Sequence, residues 1–165
     1  PKPDMKPAGV KVLLEDVCSL CSQMIRNSNI RITCTVIPDN LQILVDRKMT
    51  EQVLINLIRN SLEALTDKPK GILTIKAKHL KHDAVQVSIE DNGSGIPEEI
   101  MEQVFVPFFT TKEKGSGIGL SLSRRIMQLH KGFIRLNSKP GKGTTVILTF
   151  PADQNTPDFT KLAEE

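Results

Sequence analysis

The chain contains no tryptophan and no tyrosine, and its 4% aromatic content comes entirely from six phenylalanines. With no indole or phenol rings there is little to stack on unpaired bases, and a net charge of +3 is too small to argue for a phosphate backbone. A nucleic-acid partner is therefore set aside. Cysteine is scarce too: three residues, an odd number, which disfavours a disulfide framework and fits a reducing compartment. No apolar run approaches a membrane span, and the opening Pro1-Lys2-Pro3-Asp4 has neither a Met nor a secretory pattern. The start reads as that of a piece of a longer protein, and a membrane-anchored parent is compatible with it. What is present, 165 residues with 39% apolar and 25% charged content, suffices for one soluble globular domain with a core.

Residues 1–9 hold three prolines and a glycine and predict an extended lead-in or linker, ahead of a folded domain over 10–151. A polar tail, loosely held, is expected over 152–165. Val12 to Ile25 carries apolar residues at helical spacing and closes near Asn27-Ser28-Asn29. Cys18 and Cys21 form a C-x-x-C inside it, but Cys34, His79, His82 and His130 have no matching spacing. The thiols read as core or helix-surface groups rather than a metal or redox pair. Ile30, Ile32, Cys34 and Val36 alternate with polar residues and predict a strand, followed by an extended segment over 41–46.

The strongest helix runs from Arg47 to Thr66, with Met49, Val53, Leu54, Leu57, Ile58, Leu62 and Leu65 as its apolar stripe. Asn56, Asn60 and Glu63, spaced by four and three, share one face. Asparagine is a poor helix former, so two on one stripe invite a reason; the bland one is a solvated polar face. Residues 72–80 and 84–90 predict a hairpin around Lys81-His82-Asp83, with His79 and His82 at its solvent-facing tip. Pro97 to Met101 starts a short helix. Phe105, Phe108 and Phe109 then form a hydrophobic anchor before a polar, glycine-rich flap. Leu120, Leu122, Ile126, Met127 and Leu129 mark a helix stopped at Lys131-Gly132, and 133–137 with 144–150 make a closing hairpin. The order predicts an α+β two-layer sandwich: a mixed, mostly antiparallel sheet with three helices on one face.

Two stretches point to chemistry. Val85 to Ile89 runs into Asp91-Asn92-Gly93-Ser94-Gly95-Ile96, where glycines would let a flat ligand approach beside a carboxylate that can accept from an amine. Asn-Gly and Ser-Gly are also ordinary turn formers. Gly115-Ser116-Gly117-Ile118-Gly119-Leu120 opens a helix and suits phosphate, offering free N–H groups and a positive helix end. It lacks the lysine of a P-loop and the spacing and preceding strand of a dinucleotide fingerprint. His-Arg-Asp and Asp-Phe-Gly, the protein-kinase motifs, are missing. A mobile hinge would explain the glycines equally well.

Together these blocks are more specific. Asn56 to Ala64, Asp91 to Ile96, Gly115 to Leu120 and Gly141-Lys142-Gly143-Thr144-Thr145 resemble, in order, the asparagine box and three glycine boxes of one ATP-binding superfamily. It is shared by sensor histidine kinases, DNA gyrase, mismatch-repair ATPases and a heat-shock chaperone. Phe105 to Lys112 resembles the phenylalanine box of the histidine kinases, in the nitrogen-regulatory form. The resemblance covers about residues 47–150 and implies a Bergerat-type fold with a mobile ATP lid.

It implies roles residue by residue. Asn60 would ligate Mg²⁺, with Asn56 and Glu63 supporting the metal or phosphates from the same face. Asp91 would accept from the adenine amine, with Gly93, Gly95, Ile96 and Thr144 completing that end. Thr110, Thr111, Lys112, Gly115, Ser116, Gly117, Ile118, Gly119 and Leu120 would form the lid over the phosphates. Lys112 follows the motif more closely than Lys114, whose bland reading is a solvated flap lysine. The catalytic set is Asn56, Asn60 and Lys112.

The superfamily's ATPases carry a water-activating glutamate four residues before the metal-binding asparagine; this chain has Asn56 there. An amide cannot take a proton from water near neutral pH, which argues against hydrolysis. Phosphoryl transfer needs positioning and charge neutralisation, so the nucleophile can come from another domain. His79, His82 and His130 follow the asparagine box and lack the motif around the family's phospho-accepting histidine. The resemblance thus implies the catalytic domain of a cytoplasmic module, monomeric alone and cut from a homodimeric parent. Its partners would be that parent's dimerisation domain, upstream of the lead-in, and a response regulator. The alternative is a nucleotide-binding or anti-sigma-like serine kinase module of the same fold.

Overall fold

The computed structural model describes residues 2–113 and 115–152. Lys114 and residues 153–165, expected in the flap and the tail, lie outside the described residues. Strands are β1 (Lys6–Gly9), β2 (Arg31–Ile37), β3 (Gln42–Val45), β4 (Ile72–His79), β5 (Val85–Asp91), β6 (Phe133–Lys139) and β7 (Gly143–Phe150). Helices are α1 (Val10–Leu20), α2 (Ser22–Arg26), α3 (Arg47–Ala64) and α4 (Gly119–Leu129). The main sheet has the order β2-β4-β5-β7-β6. Among the described residues of this sheet β2 and β4 run parallel, linked by a crossover that contains α3, and the other pairs are antiparallel. The predicted mixed sheet with helices is what forms.

Period-2 alternation sends Leu73, Ile75 and Ala77 of β4, Val87 and Ile89 of β5, and Leu148 and Phe150 of β7 into the core. Leu54, Leu57 and Ile58 of α3 join them in the same buried cluster, each contributing roughly 1.5–3 kcal/mol. α3 packs against both α1 and α4, so its remaining polar face is left at the margin between helix layer and sheet end. His130 closes α4 onto the start of α3. It is fully buried, with Nδ1 2.8 Å from the Ile126 carbonyl, and Nε2 accepts from the Asp46 N–H at 2.9 Å. Among the described residues no helix is long and apolar enough to cross a membrane.

Three expectations are corrected. The lead-in belongs to the domain from Lys6 onward, because β1 pairs antiparallel with β3 and the Asp4 N–H donates to Asp46 Oδ2 at 2.9 Å. A two-stranded ribbon leaves one side of β1 unpaired, and there a proline such as Pro7 costs no ladder bond. The predicted single helix over 12–25 begins earlier and breaks at Cys21, whose side chain is buried while its backbone leaves helical dihedrals. The helix after Pro97 is one 3-10 turn, Glu98–Ile100, and buries none of its residues, so nothing offsets the entropy of extending it.

Candidate functional site

Asp46 caps α3, accepting from the Met49 N–H at 3.1 Å, and the helix register follows from that start. With Leu57, Ile58, Ser61 and Leu62 turned inward, Asn56 and Asn60 are left half-buried and Glu63 exposed on one edge. Lys112 reaches this edge from the flap: its Nζ donates to Asn60 Oδ1 at 3.2 Å and pairs with the Glu63 carboxylate. Both members of the ion pair are 45% exposed, and a pair so solvated contributes about 1 kcal/mol at most. A bound nucleotide can therefore displace it. These oxygens already draw a cation, so they fit a divalent ion. Among the described residues no group of three or more His, Cys, Asp or Glu is placed to hold a metal ion.

Asn56, one turn before Asn60, packs against α4. Its Nδ2 donates to Ser123 Oγ at 3.2 Å, and a Cβ at Gly119 would lie 2.2 Å from its Oδ1. A side chain at Gly119 would therefore push the Asn56 amide out of its present place. Ser116, Ile118, Gly119 and Asn56 line one cleft of about 440 Å³ between α3 and α4. Leu120 turns its side chain onto the core, which leaves only its backbone for a ligand.

Asp91 is 5% exposed at the end of β5, opposite Thr144 of β7. Burial pushes its carboxyl above the usual range, while hydrogen bonds from the Gly93 N–H, the Ser61 hydroxyl and the Thr144 N–H pull back. The Gly93 bond measures 2.9 Å. A carboxylate has about four acceptor positions, so one remains for a ligand amine. The Ile96 N–H donates to Ser138 Oγ at 2.8 Å, and Ser138 Oγ lies 2.8 Å from Thr144 Oγ1. Gly95 bends the loop with φ +73°, and a Cβ there would fall 2.1 Å from the Lys139 carbonyl oxygen. Left-handed backbone alone costs a residue with a Cβ about 1–2 kcal/mol. Gly95→Ala is accordingly expected to lower the melting temperature by at least about 2 °C. Differential scanning calorimetry against Ser94→Ala checks this.

The flap is fastened differently from the expected hydrophobic anchor. Phe108 is 77% exposed while Phe105 and Phe109 are half-buried, so the rings do not bury as a unit. The base is closed by backbone, the Phe108 N–H donating to the Gly117 carbonyl at 2.9 Å, and Phe105 lies beneath the Arg124 guanidinium. Thr110 Oγ1 accepts from the Lys112 N–H at 3.0 Å; Thr111, Gly115 and Ser116 are exposed. The structure thus gathers Asn60, Glu63 and Lys112 in one cluster, Asn56 with Gly119 in a second, and Asp91, Gly93 and Thr144 in a third. The thiols remain apart from all of them: Cys18 half-buried, Cys21 buried and Cys34 exposed, each free.

Ser61, Ser123 and Ser138 were missed in the sequence. For the first two a signal existed: each is a hydroxyl on an apolar helical stripe, where a leucine would ordinarily sit. Ser138 carries none, since polar residues are common near a strand end.

Residues 45–154 match the family described as histidine kinase-, DNA gyrase B-, and HSP90-like ATPase. The chain is 35% identical over 146 residues to sporulation kinase E of Bacillus subtilis, covering 88% of this chain and 20% of that one. It superposes on the catalytic domain of histidine kinase ThkA with a TM-score of 0.82 at 33% identity, covering 90% of this chain and 96% of the other. A structure of ThkA in complex with response regulator protein TrrA matches at 31% identity and TM-score 0.78, over 92% of this chain and 43% of that one. The chain spans 16% to 30% of the length of the curated relatives it matches.

Proposed function

Because the chain belongs to the histidine kinase-, DNA gyrase B-, and HSP90-like ATPase family, as a histidine kinase catalytic domain, we propose how its residues share the work. It binds Mg·ATP and hands the γ-phosphate to a histidine on a separate dimerisation domain of a homodimeric parent. From there the phosphoryl group passes to a response-regulator aspartate. The work is done in the cytoplasm.

The contact of Lys112 with Asn60 and Glu63 carries this reading, because it brings the flap cation to the polar face of α3. Asp91, flanked by Thr144, accepts from the adenine amine and so favours adenine over bases with a carbonyl at that position. The N-terminus of α4 and its glycine loop direct N–H groups at the phosphates. Asn60 would hold Mg²⁺ through a neutral amide oxygen, and the ion when bound neutralises phosphate charge. Lys112 holds the γ-phosphate on the flap side.

Among the described residues the position one turn before Asn60 offers no base for water, because Asn56 is an amide. The domain alone is expected to bind one Mg·ATP with phosphate release near background. Calorimetry with ATP and GTP and a coupled phosphate assay check both points. Sustained hydrolysis, or GTP bound as tightly as ATP, would contradict the assignment.

A further inference from the structure

Ser123 is a buried hydroxyl in α4, 2% exposed, that none of the roles above uses. Its Oγ accepts from Asn56 Nδ2 at 3.2 Å. Gly119 lies one turn earlier on the same face of α4 and backs onto the same amide, closest to Oδ1. Two positions of α4 therefore grip one side chain of α3: the glycine gives it room and the serine gives it a hydrogen bond.

An asparagine amide presents an acceptor on one side and donors on the other, and rotation about its last bond exchanges them. We propose that Ser123 is a positioning residue that holds the Asn56 amide with Oδ1 toward the glycine loop. This deepens the Mg·ATP reading and rests on it. Held in this way, Asn56 offers an acceptor suited to water around a divalent ion. A freely turning amide would spend part of its time presenting N–H groups instead, and would lose rotamer entropy on each binding event. Groups placed behind metal-site ligands typically contribute 10- to 100-fold to affinity or activity, and a single neutral hydrogen bond belongs at the low end, roughly tenfold.

The test compares the wild-type domain with Ser123→Ala, Ser123→Thr, Asn56→Ala and the Ser123→Ala/Asn56→Ala pair. Without nucleotide, the Asn56 side-chain amide resonances should shift toward those of a mobile amide in S123A and stay near their wild-type positions in S123T. Mg·ADP affinity should fall roughly tenfold in S123A, recover largely in S123T, and be the same in the double variant as in N56A. Mg-free ADP affinity should move little in S123A. Melting curves for all variants separate these effects from unfolding, and the S123T comparison holds should S123A fold poorly.

Equal losses in S123A and S123T would overturn the inference, since they would indicate volume rather than a hydroxyl acceptor. Losses that simply add between S123A and N56A would overturn it too. If N56A is impaired and S123A is not, only the inference falls. If N56A binds Mg·ADP normally, the placing of Asn56 in the site falls, and the inference with it.

Discussion

Asp91→Asn is expected to weaken ATP binding roughly 10- to 150-fold while leaving the fold nearly as stable as before. A buried hydrogen bond to a charged acceptor is worth about 1.5–3 kcal/mol, which gives that range. The asparagine keeps the shape of Asp91 but can turn an NH2 group toward the adenine amine, donor against donor. Stability is spared because two effects oppose each other. Burial already holds the Asp91 carboxyl above the usual carboxylate range, so the charged form carries a cost that an amide does not. Against this, the amide can accept fewer of the bonds offered by Gly93, Ser61 and Thr144.

The raised value fixes the pH behaviour. Between the unfolded carboxyl's value and the higher folded one, the native state holds the extra proton. The Asp91 contribution to stability is then full below the unfolded value and is lost as pH rises through the folded one. If Asp91 accepts from the adenine amine as proposed, binding runs the other way, because that contact needs the charged acceptor. ATP affinity should decline as pH falls through the raised Asp91 value, earlier than an ordinary carboxylate would allow. The Asp91→Asn variant should lack this limb. Calorimetric titrations from neutral to mildly acid pH, alongside melting curves, check both halves.

Asn60→Ala is expected to reduce phosphoryl transfer at least a hundredfold and to abolish the difference between nucleotide binding with and without Mg²⁺. A metal ion at a transferring phosphate is worth several kcal/mol of charge stabilisation, so even partial loss reaches that factor. The side chain is half-buried on an exposed helix edge, and alanine is the better helix former, so the variant should fold. It also removes one of the two acceptors that hold Lys112, the other being Glu63. ADP affinity measured with Mg²⁺ and with a chelator gives one readout, and single-turnover transfer gives the other. A variant that keeps its Mg²⁺ response would show that the ion is held elsewhere.

Much of this site was legible in the sequence because its parts lie on long, strongly patterned elements. The apolar stripe of α3 fixed which way Asn56, Asn60 and Glu63 face. The strand expected over 84–90 stopped one residue short of Asp91, which the structure makes the buried last residue of β5. Less legible were features decided by tertiary contact. The pairing of β1 with β3 joins residues far apart in sequence, and a segment rich in proline reads locally as a linker. Phe105 and Phe108 look alike in composition, yet one sits under Arg124 and the other faces solvent. Ser61 and Ser123 act only through a neighbour on another element. Their partners cannot be read from spacing along their own helix.

In the proposed reading, this chain supplies phosphoryl groups to a histidine on another domain. The most direct measurement mixes the domain with γ-labelled Mg·ATP, with and without a separately folded histidine-hairpin domain from the same parent. The catalytic domain alone is expected to stay almost unlabelled, and the hairpin domain to become labelled. The label should be acid-labile and base-stable, and Asn60→Ala should abolish it. Absence of label on a correctly folded hairpin domain, or acid-stable label on serine, would rule out histidine as the acceptor.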